Sequence, residues 1–287
     1  MSSPDTMTLG VFFAVLSAAV LHAGWNGLIK IKLDPFLAMT LICVACGVIA
    51  LPALLITGLP RLEAWPWVGA SVLIHFAYYL SLSEAYRRAD MGQIYPIARG
   101  SAPLITACIS LLALQDHISP GNVAGIALLG IGVVLISLRG HRRMTAPSRT
   151  AVGCALLTAA TIAAYTVVDG IGARISDNVN AYAAALFVAD TFPMLIFCLW
   201  RKGVKGIKPA LSFLLPGMAG GAMSLGAYWI VIWAMTVAPI ALVAAVRETS
   251  ILFAGLIAVF VLKEPLTWVR AVSATLTIVG LVLMRLM

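Results

Sequence analysis

Ionisable side chains stand inside or at the ends of long apolar stretches of this chain, and they are the residues most able to do chemistry. A charged group in apolar surroundings must be paired or must meet a ligand, because burying an isolated charge is costly. Arginines bind carboxylate and phosphate groups, and acids pair with arginines. The residues concerned are His22, His75, Glu84, Arg99, Asp169, Asp190, Arg247 and Glu248.

Arg99 and Arg247 occupy matching positions in two related segments, because residues 99–101 align with residues 247–249 at an offset of 148. Two interpretations stay open: each arginine contacts a substrate, or each is a structural clamp paired with an acid. The expected clamp pairs are Arg247 with Asp169, and Arg99 with Asp190 or Glu84. The predicted gating residues or charge partners are Glu84, Asp169, Asp190 and Glu248.

Aromatic residues that carry one polar atom fall at helical spacing beside these charges. Such rings suit a pocket that is apolar yet forms a few oriented hydrogen bonds. Tyr95 stands four residues before Arg99, and Tyr165 stands four before Asp169, so each pair shares a helix face. The predicted substrate-binding residues are His75, Tyr78, Tyr79, Tyr95, Arg99, Tyr165, Tyr228, Trp229 and Arg247.

The elements that must position these residues are membrane-spanning helices. Hydrophobic residues make up 62% of the 287 residues and charged residues 10%, which cannot supply the surface of a water-soluble protein. Stretches of about 20 apolar residues are long enough to span a bilayer. They predict an all-α integral membrane protein with ten transmembrane helices, at 8–28, 36–57, 66–86, 92–114, 121–138, 151–169, 180–200, 210–235, 239–261 and 267–286.

The chain between Tyr79 and Leu138 is repeated between Tyr228 and Leu286. Residues 1–144 and 145–287 therefore form two repeats of five helices each in one membrane domain. Because five is odd, equivalent helices cross the bilayer in opposite directions, so the repeats are inverted. This architecture is typical of secondary transporters, whose central site between the repeats opens alternately to either side.

Lysine and arginine gather in the loops that follow odd-numbered helices, as at Lys30, Arg87 and Lys202. Short loops rich in these residues stay cytoplasmic, so both termini are predicted to face outward. The net charge of +8 therefore reports orientation and predicts no nucleic-acid binding.

Several other chemistries are not expected. The histidines lack metal-ligand spacing, and Cys43 and Cys46 form a C-x-x-C inside an apolar stretch, where they are interpreted as packing residues. No phosphate-binding Gly-Lys motif occurs, so neither a metal, a cofactor nor nucleotide hydrolysis is predicted. The acids lack the clustering of magnesium-dependent membrane transferases, so an enzyme is not predicted. His22 and His75 are either proton carriers or buried hydrogen-bonding residues. The oligomeric state stays open, and a monomer is plausible.

The balance of charge in the predicted pocket limits the class of substrate that it can bind. The acids Asp169, Asp190 and Glu248 oppose the arginines Arg99 and Arg247, so a pocket among them is close to neutral. Aromatic walls and near-neutral charge favour a zwitterion or an amphipathic organic cation over a dianion. The predicted substrates are small amphipathic metabolites such as amino acids.

The repeat pattern and three short motifs resemble the EamA family of the drug/metabolite transporter superfamily. The motifs are Lys263-Glu264-Pro265-Leu266-Thr267 with Gly280 in the helix that follows, the degenerate copy Gln115-Asp116-His117-Ile118-Ser119, and His22-Ala23-Gly24-Trp25-Asn26 with Lys30 behind it. The resemblance implies a ten-helix exporter of the bacterial inner membrane. It is strongest to bacterial aromatic amino-acid exporters; drug or organic-cation export and exchange of sugars or phosphorylated metabolites are the alternatives within the family.

Overall fold

A computed structural model describes residues 7–29, 33–88, 91–112, 119–139, 148–260 and 267–286. Within these ranges the chain is helical and contains no strand. The α-helices are α1 (Leu9–Ile29), α2 (Pro35–Thr57), α3 (Trp65–Arg88), α4 (Met91–Leu112), α5 (Pro120–Arg139), α6 (Arg149–Ile175), α7 (Val179–Leu211), α8 (Leu214–Val237), α9 (Ile240–Arg247), α10 (Ser250–Phe260) and α11 (Trp268–Leu286), with a short 3-10 helix at Leu62–Ala64.

Seven spans within the described ranges are long and apolar enough to cross a membrane, one of them combining α9 with α10. Among the residues whose side chains the structure describes, the apolar parts of α4 and α5 cover Ile97–Leu112 and Pro120–Leu135. The helix α3 does not reach the required hydropathy, because serine, histidine and tyrosine side chains interrupt its apolar sequence. Helices lie at all ten predicted stretches, but length and composition alone qualify seven of them.

The ninth predicted stretch is broken into two helices at Glu248 and Thr249. The amide N–H of Glu248 donates to the carbonyl of Ala245 at 3.0 Å, and that of Thr249 donates to Val246 at 3.1 Å. Each of these bonds joins a residue to the residue three positions earlier, so the chain forms a 3-10 turn between α9 and α10. All eight residues of α9 are buried, so the break lies inside the protein.

The seventh predicted helix, at 180–200, is followed by a second helical stretch. The range of α7 covers both stretches, which are separated at Gly203, where φ is 65° and ψ is 172°, and the second stretch ends at Leu211. This left-handed conformation is readily available to glycine, which lacks a Cβ. The basic residues Arg201, Lys202 and Lys208 consequently lie on helix rather than in an open loop.

Helices of one repeat pack mainly against helices of the other. The most extensive contacts join α5 to α11, α2 to α7, α1 to α8, and α3 to α6. When each helix is replaced by its equivalent in the other repeat, the pairs α5–α11 and α2–α7 stay the same. The pairs α1–α8 and α3–α6 are exchanged for each other. This is the contact pattern that a two-fold relation between the repeats would produce.

Close helix contacts show the same relation at the level of single residues. A Cβ added to Gly280 would lie 2.6 Å from the carbonyl oxygen of Gly125, and one added to Gly132 would lie 2.9 Å from that of Ser273. Gly132 and Gly280 are separated by 148 positions, and so are Gly125 and Ser273. The interface between α5 and α11 therefore consists of two matching halves, each of which requires a residue without a side chain.

Candidate functional site

A cavity of about 50 Å³ lies between helices of both repeats. One water needs roughly 10–15 Å³ of such space, so this cavity holds only a few waters. The residues that line it are His22 and Trp25 from α1, Met39, Ile42 and Cys46 from α2, His75, Tyr78 and Tyr79 from α3, Tyr165 from α6, Phe187 from α7, Ser224, Ala227 and Tyr228 from α8, and Arg247 from α9.

Aromatic rings form one wall of the cavity. The ring of His75 stacks on Tyr165 with a centroid separation of 4.1 Å and an interplanar angle of 19°. Tyr228 meets Tyr165 edge-on at 5.6 Å, and Tyr78 meets Tyr165 edge-on at 5.5 Å. Tyr165 is thus the centre of an aromatic cluster, and these four predicted residues lie together as the sequence indicates.

The lining follows the internal repeat. His75, Tyr78 and Tyr79 of α3 stand 149 positions before Ser224, Ala227 and Tyr228 of α8, and all six line the cavity. Equivalent positions of the two repeats therefore face the same space. The side chains differ, however, because α3 contributes three rings and α8 contributes one. The positions that line the cavity are therefore related by the repeat, but the side chains at those positions are not.

Arg247 brings a positive charge to the cavity wall. Its guanidinium carbon lies 5.9 Å from the ring centroids of both Tyr165 and Tyr228, within the range of a cation–π contact. Its Nη2 donates to the Thr166 hydroxyl at 3.4 Å, while its Nε has no hydrogen-bond partner among the described residues. This arrangement leaves a buried N–H group free to bind an acceptor from the cavity.

Arg99 and Arg247 meet at one carboxylate. The Nε of Arg99 lies 2.7 Å from Oε2 of Glu248, and Nη2 of Arg247 lies 3.4 Å from Oε1. All three side chains are buried, with exposures of 4% or less. The expected pairs of Arg247 with Asp169 and of Arg99 with Asp190 or Glu84 are therefore corrected, because the break after α9 directs Glu248 toward both arginines.

Asp169 is satisfied by tyrosines instead of an arginine. Its Oδ1 accepts a hydrogen bond from the hydroxyl of Tyr182 at 3.0 Å, and its Oδ2 accepts one from Tyr228 at 2.5 Å. The side chain is fully buried at 0% exposure. Tyr228 thereby connects a buried carboxylate to the cavity that its ring lines.

Asp190 lies behind the aromatic wall. The Oδ2 of Asp190 is 3.9 Å from Nδ1 of His75, and both side chains are nearly inaccessible to solvent. The same His75 nitrogen lies 3.1 Å from the carbonyl oxygen of Ser71 and 3.0 Å from its hydroxyl, so it donates to the carbonyl when it carries a hydrogen and accepts from the hydroxyl when it does not. Asp190 is not itself a lining residue.

Besides Arg99, Asp169, Asp190 and Glu248, which are not among the lining residues, three further predicted site residues are not placed at the cavity. Glu84 is at the end of α3, where it forms ion pairs with Arg87 and Arg88 in partly exposed surroundings. Trp229 points away from the cavity and donates its indole N–H to Asn180 at 2.9 Å. Tyr95 lies on α4, and its side chain is outside the described part of the structure.

The lining residues that the sequence did not predict lie on α1, α2, α7 and α8. Trp25 donates its indole N–H to Nδ1 of His22 at 3.2 Å, which fixes the orientation of that lining histidine. His22 was recognisable as an ionisable group inside an apolar stretch. The lining residues Met39, Ile42, Cys46 and Phe187 have no such signal, because an apolar side chain on a packed helix and one on a cavity wall look the same in a sequence.

The turns that follow α2, α6 and α8 are tied together at one end of the bundle. Arg61 forms an ion pair with Asp177 at 2.7 Å, joining the first of these turns to the second. Arg174 donates to the carbonyl oxygens of Met235 at 2.8 Å and Ala238 at 3.1 Å, joining the second to the third. These bonds link the three turns close to the start of the buried α9.

Comparison with known proteins identifies the family. The EamA-like transporter family matches residues 8–138 and again residues 149–286, one match for each repeat. A crystal structure of another protein matches 96% of this chain and 95% of its own length with a TM-score of 0.77, and the 18% sequence identity makes this a likeness of fold alone. No curated protein matches the sequence. Two family matches that together cover most of the chain establish that this protein belongs to the EamA-like transporter family.

Proposed function

We propose that this membrane transporter is a secondary exporter of small amphipathic metabolites, most of all amino acids and among them the aromatic ones. The observation that carries this proposal is the position of Arg247, a buried guanidinium on the wall of a cavity lined mainly by aromatic rings. Its unpartnered Nε can bind a carboxylate, and the rings can hold an apolar or aromatic side chain.

The charge of the site supports a zwitterion over a dianion. Glu248 compensates one of the two arginines, so the cluster of Arg99, Arg247 and Glu248 keeps a single positive charge. One carboxylate would balance that charge, whereas two phosphate charges would exceed it. The ammonium group of an amino acid can be held against tyrosine faces such as those of Tyr79 and Tyr165.

We further propose that the two repeats are inverted and provide alternating access. The matched contacts of α5 with α11, α2 with α7, and α1 with α8 support a two-fold relation between them. The break at Glu248 supports a site at the repeat interface, since discontinuous helices form substrate sites in many transporters. The ion pair between Arg61 and Asp177 is a candidate gate at the end of the bundle where the turns after α2, α6 and α8 are linked.

The small volume of the cavity fits a closed stage of such a cycle. A cavity that holds a few waters must widen before an amino acid enters, and separating the helix contacts at either end would widen it. We place the protein in the bacterial inner membrane with both termini outside, because the basic residues follow odd-numbered helices.

Purified protein in liposomes tests the proposal. Liposomes loaded with unlabelled phenylalanine should take up radiolabelled phenylalanine by exchange, and the variant Arg247→Ala should lose most of this exchange. The matched control is Arg270→Ala, which removes an arginine near the start of α11 that is not a lining residue. No exchange of any amino acid by folded wild-type protein would overturn the proposal.

An aromatic cavity also suits an amphipathic organic cation, because ring faces attract cations. The rings of His75, Tyr165 and Tyr228 pack against one another on the wall of this cavity. Ligand-induced stabilisation in detergent separates the two substrate classes, because a ligand that binds the folded protein raises its melting temperature. A quaternary ammonium compound that stabilises Arg247→Ala as much as wild type would favour the organic cation. Stabilisation by amino acids that is lost in Arg247→Ala favours the zwitterion.

A further inference from the structure

The carboxylate of Asp190 on α7 is a buried acid that the proposed substrate contacts do not use. Its side chain is 3% exposed, and neither oxygen has a hydrogen-bond partner among the described residues. The hydroxyl of Tyr79 stands beside it but outside hydrogen-bond geometry. Of the other buried acids in the described ranges, Glu248 pairs with Arg99, and Asp169 accepts hydrogen bonds from tyrosines.

Within the described part of the chain, no lysine or arginine forms an ion pair with Asp190. A carboxylate in a low-dielectric site without a cation is unstable as an anion, and binding a proton removes its charge. The nearby titratable side chains are Cys43 and Cys46 from α2, His75 and Tyr79 from α3, Asp169 from α6, Tyr182 from α7 itself and Tyr228 from α8.

A route from the cavity to Asp190 runs through His75. The His75 ring lines the cavity, and its Nδ1 lies 3.9 Å from Oδ2 of Asp190. Asp190 itself is hidden, and Phe187, one helical turn earlier on α7, forms the wall there. A substrate ammonium group or a hydrated metal cation would have to displace these rings, whereas a proton can pass along the imidazole.

We propose that Asp190 is a proton-binding site, reached from the cavity through His75, whose protonation is coupled to transport. The coupling rests on the proposed function, whereas the proton binding does not. A proton from cavity water binds to the His75 ring, and the ring passes one proton to a carboxylate oxygen of Asp190. No other bond changes, and the reverse transfers release the proton. The gap of 3.9 Å must shorten by about 1 Å, which a side-chain rotation achieves.

Infrared spectroscopy of the purified protein in detergent tests proton binding without any substrate. Lowering the pH should bring up a high-frequency carbonyl band, that of a protonated carboxyl group without a hydrogen bond, which neither the exposed acids nor the hydrogen-bonded Asp169 give; it should appear in wild type and in the control Glu63→Gln, which changes an exposed acid. The band should be missing in Asp190→Asn and shifted in Asp190→Glu. If Asp190→Asn does not fold, the shifted band of Asp190→Glu still tests the proposal. A wild-type protein without the band, a band unchanged in Asp190→Asn, or a titration that moves with sodium concentration would each overturn the proposal.

Transport in liposomes tests the coupling. A pH gradient should drive accumulation of radiolabelled phenylalanine by wild type, and Asp190→Asn should reduce this accumulation by about tenfold, the scale of a coupling between two sites. Exchange of phenylalanine without a gradient should be retained in Asp190→Asn. Equal gradient-driven accumulation by both proteins would overturn the coupling. If no protein exchanges phenylalanine, the proposed function fails, and the infrared result still decides on the proton site.

Discussion

The Nε atom of Arg99 lies 2.7 Å from Oε2 of Glu248, so an arginine of the first repeat is held by an acid of the second. Glu248 stands at the position that Gly100 occupies in the first repeat. A Cβ at Gly100 would lie 2.8 Å from a methyl carbon of Val134, so α5 leaves no room for an acid there. One carboxylate therefore serves both Arg99 and Arg247 and joins the repeats at the centre of the protein.

Replacing Glu248 with glutamine should destabilise the protein strongly. The change leaves two buried guanidinium groups close together without a counter-ion, and breaking a buried ion pair costs about 3–5 kcal/mol. We expect a large fall in the melting temperature measured in detergent, together with a loss of transport.

A double-mutant cycle provides the control for this prediction. The variant Arg99→Met removes one of the two like charges, so adding it to Glu248→Gln should recover part of the lost stability. If the losses in stability of the two single variants simply add in the double variant, Arg99 and Glu248 are not coupled.

The helix positions and the cavity framework could be predicted from the sequence, but the charge pairs could not. The offset of 149 places Tyr79 and Tyr228 at equivalent sites, and both line the cavity. Arg99 and Arg247 meet at Glu248, because α4 and α9 contact each other and the turn after α9 sets the direction of that side chain. Apolar periodicity does not determine such crossings.

The two tyrosines that donate to Asp169 should differ in their effect on transport. Tyr182→Phe and Tyr228→Phe each remove one hydrogen bond to a buried carboxylate, which costs about 1.5–3 kcal/mol. Both variants should therefore lower the melting temperature. Only Tyr228 lines the cavity, so only Tyr228→Phe should also change the KM for phenylalanine exchange. An equal change of KM in both variants would place Asp169, rather than the cavity wall, in control of binding.

Substitutions of Arg247 and Arg99 by lysine should have different effects on the kinetics of phenylalanine exchange. Lysine keeps the charge but loses the planar guanidinium that lies near two tyrosine rings, so Arg247→Lys should raise the KM by about tenfold. Arg99 pairs with Glu248 and does not line the cavity, so Arg99→Lys should change the melting temperature or the maximal rate and leave the KM close to wild type. A raised KM in Arg99→Lys alone would reverse these assignments.

Cysteines placed in the cavity should react with a water-soluble thiol reagent in a substrate-protected way. Single substitutions Tyr78→Cys, Tyr79→Cys and Tyr165→Cys, in a background without the native cysteines, test the lining directly. Trp229→Cys is the matched control, since its side chain points away from the cavity toward Asn180. Labelling at Trp229 that phenylalanine blocks, with no protection at the three tyrosines, would move the site away from this cavity.

The inversion of the repeats predicts where two matched helix ends lie. Arg88 at the end of α3 and Val237 at the end of α8 are 149 positions apart, and both are exposed. If the repeats cross the bilayer in opposite directions, single cysteines at these positions should be labelled from opposite sides of intact cells. A membrane-impermeant reagent should reach Val237→Cys from outside and Arg88→Cys only after the membrane is opened. Labelling of both from the same side would mean that α3 and α8 run in parallel, and the two-fold relation between the repeats would then require another explanation.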